Sequence, residues 1–206
     1  MFGFFEKKEA HVDEVKAPAF VEWKGWRKFK VMNRKQECVD TTTFTLMPAD
    51  EQPLPAFRAG QGVALRLEGF EPRAYTLCST PDEGCYRITI KVLDNDRGAL
   101  SAQLAQCLHV GDEIEVSEPA GGFVLDDRET PVVMIAEGIG ITPMVAMLSE
   151  IATDHPLRRV HLIYSTKNGE HFPLQEETKN LIKLIPDSGM AVGYTCLLYT
   201  SPSPRD

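Results

Sequence analysis

The chain has 206 residues, 43% of them apolar, and a formal net charge of −8. That length allows one large or two small domains with a real core, and an acidic balance without any Lys/Arg run argues against nucleic acid as the main partner, because binding phosphates needs a clustered basic face. The five cysteines, Cys38, Cys78, Cys85, Cys107 and Cys196, are odd in number and lack Cys-x-x-Cys spacing. They argue against a zinc site, an iron-sulfur cluster or a secreted disulfide framework within these residues, and the cytoplasm is the expected compartment.

Residues 1–25 read as a flexible charged leader. The opening MFGFFEKKEA is apolar for five residues only, too short for a signal-peptide core or a membrane span. From Trp26 the texture changes to short strand-like runs between turn residues: RKFKVMNR, TTTFTLMP, QGVALRLEG and Arg73 to Cys78. In YRITIKVL, Ile88, Ile90 and Val92 alternate with Arg87, Thr89 and Lys91, the mark of a half-buried strand. Ala99 to Leu108 carries leucines at helical spacing, and GDEIEV returns to strand. Six short strands with one interposed helix predict a small antiparallel barrel or sandwich over 26–125.

Near residues 124–130 the period changes. PVVMIA (Pro131 to Ala136) is a continuous apolar run, expected to be buried on both faces of a parallel sheet. A glycine turn and a helix follow, then a strand at Val160 to Tyr164, a helix at Pro173 to Ile185 and a strand at Met190 to Thr195. This order predicts the start of a doubly wound α/β domain over 130–195, with right-handed crossovers. The fold class is therefore β followed by α/β.

Two stretches carry chemistry. In RAYTLCST, Arg73, Tyr75 and Leu77 share one strand face while Ala74, Thr76 and Cys78 share the other. Such a strand offers a guanidinium to a phosphate and a phenol ring to a flat heterocycle, or it is simply a solvated charge beside a half-buried ring. The second is Gly138-Ile-Gly140-Ile-Thr142-Pro143. Its glycines permit close approach of a ligand to the backbone, and Thr142 with Pro143 reads as an N-cap followed by Pro at the first helical position. The start of that helix can hold a phosphate, or the segment is a plain tight turn. Pro143 stands where the three-glycine dinucleotide fingerprint has its last glycine. The scattered histidines lack metal spacing, Glu137 is expected to face solvent, and Met144 and Met147 to face the core.

The ordered set FRAGQ (Phe57 to Gln61), RAYT, ITIKV, GALS (Gly98 to Ser101), GDEIEV, PAGGF (Pro119 to Phe123) and GIGITPM resembles the ferredoxin-NADP reductase superfamily, in particular the reductase half of flavohaemoglobins and related ferredoxin-fused reductases. The resemblance covers roughly residues 26 to 195. It implies a flavin-binding barrel and a nicotinamide-binding domain, with FAD taking hydride from NAD(P)H and passing electrons singly to an iron-sulfur, haem or similar acceptor, in a partner protein or a fused domain. By position, it implies that Arg73 pairs with the flavin phosphates, Tyr75 packs on the isoalloxazine ring and Thr76 hydrogen-bonds its N5 edge. Gly98 and Ser101 would serve the phosphates, while Gly138, Gly140 and Thr142 would line the nicotinamide site. Tyr75, Thr76 and Thr142 are thus the expected residues at the reacting centre, and no metal ligands are expected. The alternative is a non-catalytic flavin-binding regulatory or electron-transfer subunit on the same fold.

The departures from that family lie at the C-terminal end. Three strands do not complete its nucleotide domain, and the Cys-Gly segment beside the nicotinamide has no counterpart. The tail Cys196 to Asp206, CLLYTSPSPRD, resembles translated adaptor sequence, so 196–206 is expected to be non-native and the domain incomplete, with any plant-type [2Fe-2S] module lying in missing sequence. A truncated α/β half is expected to leave a sheet edge and apolar helix faces uncovered, with poor stability and weak nicotinamide binding.

Overall fold

The computed structural model describes residues 23–93 and 99–195. Residues 1–22 of the expected leader, Gly98 and the expected tail 196–206 lie outside the described residues. Strands β1 (Trp26–Cys38), β2 (Thr41–Pro48), β3 (Gly62–Arg66), β4 (Arg73–Thr76), β5 (Tyr86–Lys91) and β6 (Glu113–Ser117) form one sheet in the order β4-β3-β6-β1-β2-β5. All of its pairings are antiparallel. The two outer strands meet through a bridge between Leu77 and Ile88, and the Cys78 amide donates to the Arg87 carbonyl at 2.8 Å. That contact closes the sheet into a barrel and removes its open edges.

Alternation decides what fills the barrel. Phe29, Val31, Phe44, Leu46, Ile88 and Ile90 point inward and are fully buried. Tyr86 stacks on Phe29 with ring centroids 5.1 Å apart, and Trp23 lies against both rings. Helix α1 (Leu100–Cys107) plugs the barrel with Leu100 and Leu104, whose spacing of four puts them on one helix face.

The second half is a three-stranded parallel sheet, β7 (Val132–Glu137), β8 (Val160–Thr166) and β9 (Gly189–Tyr194), in the order β7-β8-β9. Helices α2 (Ile141–Asp154) and α3 (Gln175–Leu184) make the two crossovers. Both crossovers step in the same direction, and α2 and α3 pack into one core cluster over the same face, as two crossovers of the usual right hand would place them. Met134, Ala136, Leu162 and Tyr164 are buried beneath them, whereas Val133, Ile135 and Ile163 point the other way and are 59%, 71% and 48% exposed. The expectation that PVVMIA is buried on both faces is therefore corrected: one face of β7 is open among the described residues. This face of the sheet and its β7 edge are open, α2 is buried from Ile141 through Leu148, and Leu184 on α3 is 68% exposed.

β5 also departs from the expectation of a half-solvated strand. Thr89 is 3% exposed, its hydroxyl 2.8 Å from that of Thr43 and 3.4 Å from the Cys78 thiol. Its polar side faces the second half of the molecule, not water. Between the halves, Arg158 is 2% exposed and donates to the Thr130 carbonyl at 3.0 Å, the Asp126 carbonyl at 2.8 Å and the Asp126 carboxylate at 2.6 Å. A buried cation is tolerated only when fully paired, and here the pairing pins the connecting segment to the start of β8.

Three outcomes follow. Arg158→Ala leaves the Asp126 and Thr130 carbonyls without their donor and is expected to cost about 2–3 kcal/mol in urea unfolding. Hydrogen bonds from Arg128 and then Arg158 hold the Asp126 carboxyl at about 2, below its ordinary 3.8. A depressed carboxyl stabilises above its unfolded pKa, so this contribution is lost as pH falls from about 4 toward 2, and Asp126→Asn is expected to flatten the stability profile over that interval. Finally, the native chain is expected to bind a hydrophobic dye through the open β7 face. Val133→Thr with Ile135→Thr, which keeps strand propensity, should lower dye fluorescence without lowering the Tm.

Candidate functional site

A cleft of about 430 Å³ opens beside β3 and β4, lined by Gly60, Gly62, Val63, Ala64, Ala74, Tyr75, Thr76, Ser117, Ala120 and Gly121. Small residues make its floor. A Cβ at Gly62 would meet the Tyr75 carbonyl oxygen at 2.7 Å, and one at Gly60, whose φ is +99°, would meet the Phe123 carbonyl oxygen at 2.1 Å. Glycine is required at both positions for the backbones to approach this closely.

Three of the residues expected to hold flavin meet at Tyr75, the one of them that also lines this cleft. The Arg73 Nη1 donates to the Ser101 hydroxyl at 3.1 Å, and the Tyr75 hydroxyl lies 3.1 Å from the same oxygen. β4 supplies the first two on one face, as the alternation requires, and Ser101 comes from the first turn of α1. Arg73 is exposed and Tyr75 and Thr76 are half-buried; Tyr75 and Thr76 line the concave surface built from small side chains, and Arg73 and Ser101 stand next to it through Tyr75. The donors and the flat floor fit a flavin nucleotide, with a guanidinium for phosphate and a phenol ring for a heterocycle. Gly98, expected to add an amide, lies outside the described residues.

The glycine turn forms a short 3-10 turn, Gly138–Gly140, that runs directly into α2. Gly138 has φ +52°. The expected N-cap role of Thr142 is corrected: Gly140 is the N-cap and α2 starts at Ile141. Thr142 is buried in the first turn and its hydroxyl donates back to the Ile139 carbonyl at 3.0 Å, because the 3-10 turn presents a carbonyl there in place of an open amide. Tyr164, buried beneath, donates to the Gly138 carbonyl at 2.9 Å and fixes the turn from the β8 side; burial pushes its phenol up to about 12, so it remains a donor. Glu137 is exposed, as expected.

Two contacts join the turn to the barrel. α2 reaches the cleft floor through Met147, whose Cε lies 2.6 Å from where a Gly60 Cβ would stand. Lys91, at the end of β5, brings its ammonium to 3.9 Å from the position of a Gly138 Cβ and pairs with Asp40 at 3.4 Å. Burial raises the Asp40 carboxyl, but bonds from Thr41 and Cys38 and the charge of Lys91 outweigh it and hold that carboxyl low. Sequence reasoning read Lys91 as part of a solvated strand face and missed it. The only signal available was its register on β5, which carries no information about what packs against that face. Cys78 is fully buried behind β4, and burial pushes its thiol up to about 11, so it is a packing residue and not a nucleophile.

Comparison with known proteins supplies the family. Residues 28–125 match the oxidoreductase FAD-binding domain and residues 134–202 the oxidoreductase NAD-binding domain. The flavohemoprotein of Bacillus subtilis (strain 168) is 34% identical over 190 residues, which is 89% of this chain and 45% of that protein. The chain thus spans about half the length of the curated relatives it matches. The flavohaem-like FAD/NAD-binding domain of nitric oxide dioxygenase from Vibrio cholerae O1 biovar El Tor superposes with a TM-score of 0.76 at 31% identity, over 82% of this chain and 73% of that one. Phthalate dioxygenase reductase, described as modular for electron transfer from pyridine nucleotides to [2Fe-2S], superposes with a TM-score of 0.73 at 26% identity, over 87% of this chain and 58% of that one. An FAD-binding domain followed by an NAD-binding oxidoreductase domain, matched in that order by both comparisons, places the chain in the ferredoxin-NADP reductase superfamily.

Proposed function

We propose that the chain is the reductase part of an electron-transfer protein that takes hydride from NAD(P)H and passes electrons singly to a haem or iron-sulfur acceptor, in a fused domain or a partner. The observation that carries this reading is the convergence of Arg73 and Tyr75 on Ser101 beside the cleft that Tyr75 and Thr76 line, with the Gly138–Gly140 turn next to the same barrel at Lys91 and α2 at Met147. FAD, when bound, supplies two-electron acceptance from the reduced nicotinamide and one-electron release. The work of the chain is binding and orientation. Arg73 and Ser101 serve the flavin phosphates, Tyr75 packs on the ring and Thr76 offers its hydroxyl to the ring edge. Gly138 and Gly140 leave the backbone open to the nicotinamide nucleotide, and Thr142, held by the Ile139 carbonyl, keeps the turn in one shape where nicotinamide meets flavin.

The acceptor classes come from relatives: a flavohaemoglobin from Malassezia yamatoensis carries FAD and haem, and phthalate dioxygenase reductase serves [2Fe-2S]. Among the described residues no helix is long and apolar enough to cross a membrane. We place the protein in the cytoplasm, where free thiols such as Cys38, Cys78, Cys85 and Cys107 persist.

Arg73→Ala is expected to weaken FAD binding about tenfold or more, about 1.4 kcal/mol per decade, read by flavin absorbance after gel filtration and by equilibrium dialysis. Undiminished flavin content in that variant would remove the phosphate role. Thr142→Val is expected to leave flavin content unchanged and to slow bleaching of the flavin by NAD(P)H about tenfold in stopped flow, with Thr142→Ser close to the parent.

A further inference from the structure

The Arg87 side chain reaches from β5 of the barrel to the first turn of α3. Its Nη1 and Nη2 each lie 2.6 Å from one oxygen of the Glu177 carboxylate, a two-pronged pairing between the two halves of the molecule. The same Nη2 donates to the Cys78 carbonyl at 2.7 Å, and the Arg87 amide donates to the Ser79 hydroxyl at 3.1 Å. Cys78 stands two residues beyond Thr76, on the segment that continues β4 from the cleft. One guanidinium therefore touches both the flavin-facing segment and the helix that makes the second crossover of the nucleotide half.

Several features make this more than a surface ion pair. The two side chains are 18% and 34% exposed, so the charges act where water screens them weakly. The fork geometry uses two parallel N–H bonds, which a lysine cannot reproduce. Helix α3 is launched from Leu174, a buried residue with φ 56°, a backbone region that a leucine occupies only when its surroundings impose it. The Nε has Glu83 at 3.6 Å, beyond hydrogen-bond length, so Arg87 keeps an acidic neighbour within the barrel if Glu177 is lost.

We propose that Arg87 is a positioning residue: by gripping Glu177 it sets the place of α3, and with it the α/β half that carries the Gly138–Gly140 turn, against the flavin-facing segment of β4, so that it governs the rate of flavin reduction without holding either cofactor. This rests on the function proposed above, that the cleft beside β4 holds FAD and the turn before α2 holds NAD(P)H.

The test uses the full chain loaded with FAD, as parent, Glu177→Gln and Glu177→Asp. Glu177→Gln keeps the shape and removes the charge. It is expected to leave flavin content unchanged, to speed amide hydrogen exchange across residues 175–184 at least about tenfold, and to lower the rate of flavin reduction at saturating NAD(P)H about tenfold while the half-saturating concentration moves less than about threefold. Glu177→Asp, which keeps the carboxylate, is expected to restore much of both losses. Faster exchange with an unchanged reduction rate would make the pair a fold contact only and overturn the positioning role. Loss of flavin from Glu177→Gln would assign the pair to the barrel and overturn it equally. A parent protein that holds flavin but is reduced by neither NADH nor NADPH would instead overturn the function proposed above and the positioning role with it, and is told apart by appearing before any substitution; the exchange measurement then still decides whether the pair holds α3.

Discussion

The constraint on which the rest of the molecule depends is that the polar side of β5 has little water to face. Arg87, Thr89 and Lys91 alternate with a run of core residues, and each finds its partner within the protein: Arg87 pairs with Glu177 of α3, Thr89 with Thr43 and the Cys78 thiol, and Lys91 with Asp40 beside the Gly138 turn. Buried polar groups must be matched or they destabilise, so this strand dictates where the second half can sit. The shared core records the same fit, because Ala59 and Cys78 from the barrel side pack into the cluster built around α2.

Within the barrel, closure and the cleft are two results of one arrangement. The bridge from Leu77 to Ile88 joins the last residues after β4 to β5, which leaves the outer surface of β4 and β3 lined by Gly62, Ala64, Ala74 and Thr76. Small side chains there are not gaps in a core but the floor of a cleft. A separate element then joins the other face of β4, since the Ser101 hydroxyl arrives from α1, twenty-eight residues beyond Arg73. A rigid scaffold under convergent polar groups is the arrangement that orients a flat cofactor at little entropic cost.

The α/β half shows how handedness decides exposure. Two crossovers stepping the same way, with the usual right hand, place α2 and α3 on one side, so neighbouring residues of one apolar run meet opposite fates: Ile135 is exposed and Met134 is buried. The turn before α2 is shaped from below by Tyr164 and from within by Thr142, both of which spend their hydroxyls on backbone carbonyls. Their contribution is the fixed shape of the turn, and the open backbone of the glycines is what faces outward.

Much of this was legible in the amino-acid order. Alternation in TTTFTLMP and YRITIKVL, leucines four apart in α1 and the change of period near residue 130 determine the element types, because side-chain direction is a local property of strand and helix. RAYT and GIGITP likewise mark their own chemistry, since a guanidinium beside a ring and a glycine turn before a helix are recognisable without neighbours. What only the tertiary structure decided is what each face meets. The one-sided burial of β7, the interior life of Thr89, the approach of Lys91 to the glycine turn and the grip of Arg87 on Glu177 all join residues far apart in the chain. Hydrophobic period reports that a face is apolar or polar; which partner, or which solvent, lies against it is set by crossover handedness and by the packing of one half on the other, and neither is written in any local stretch.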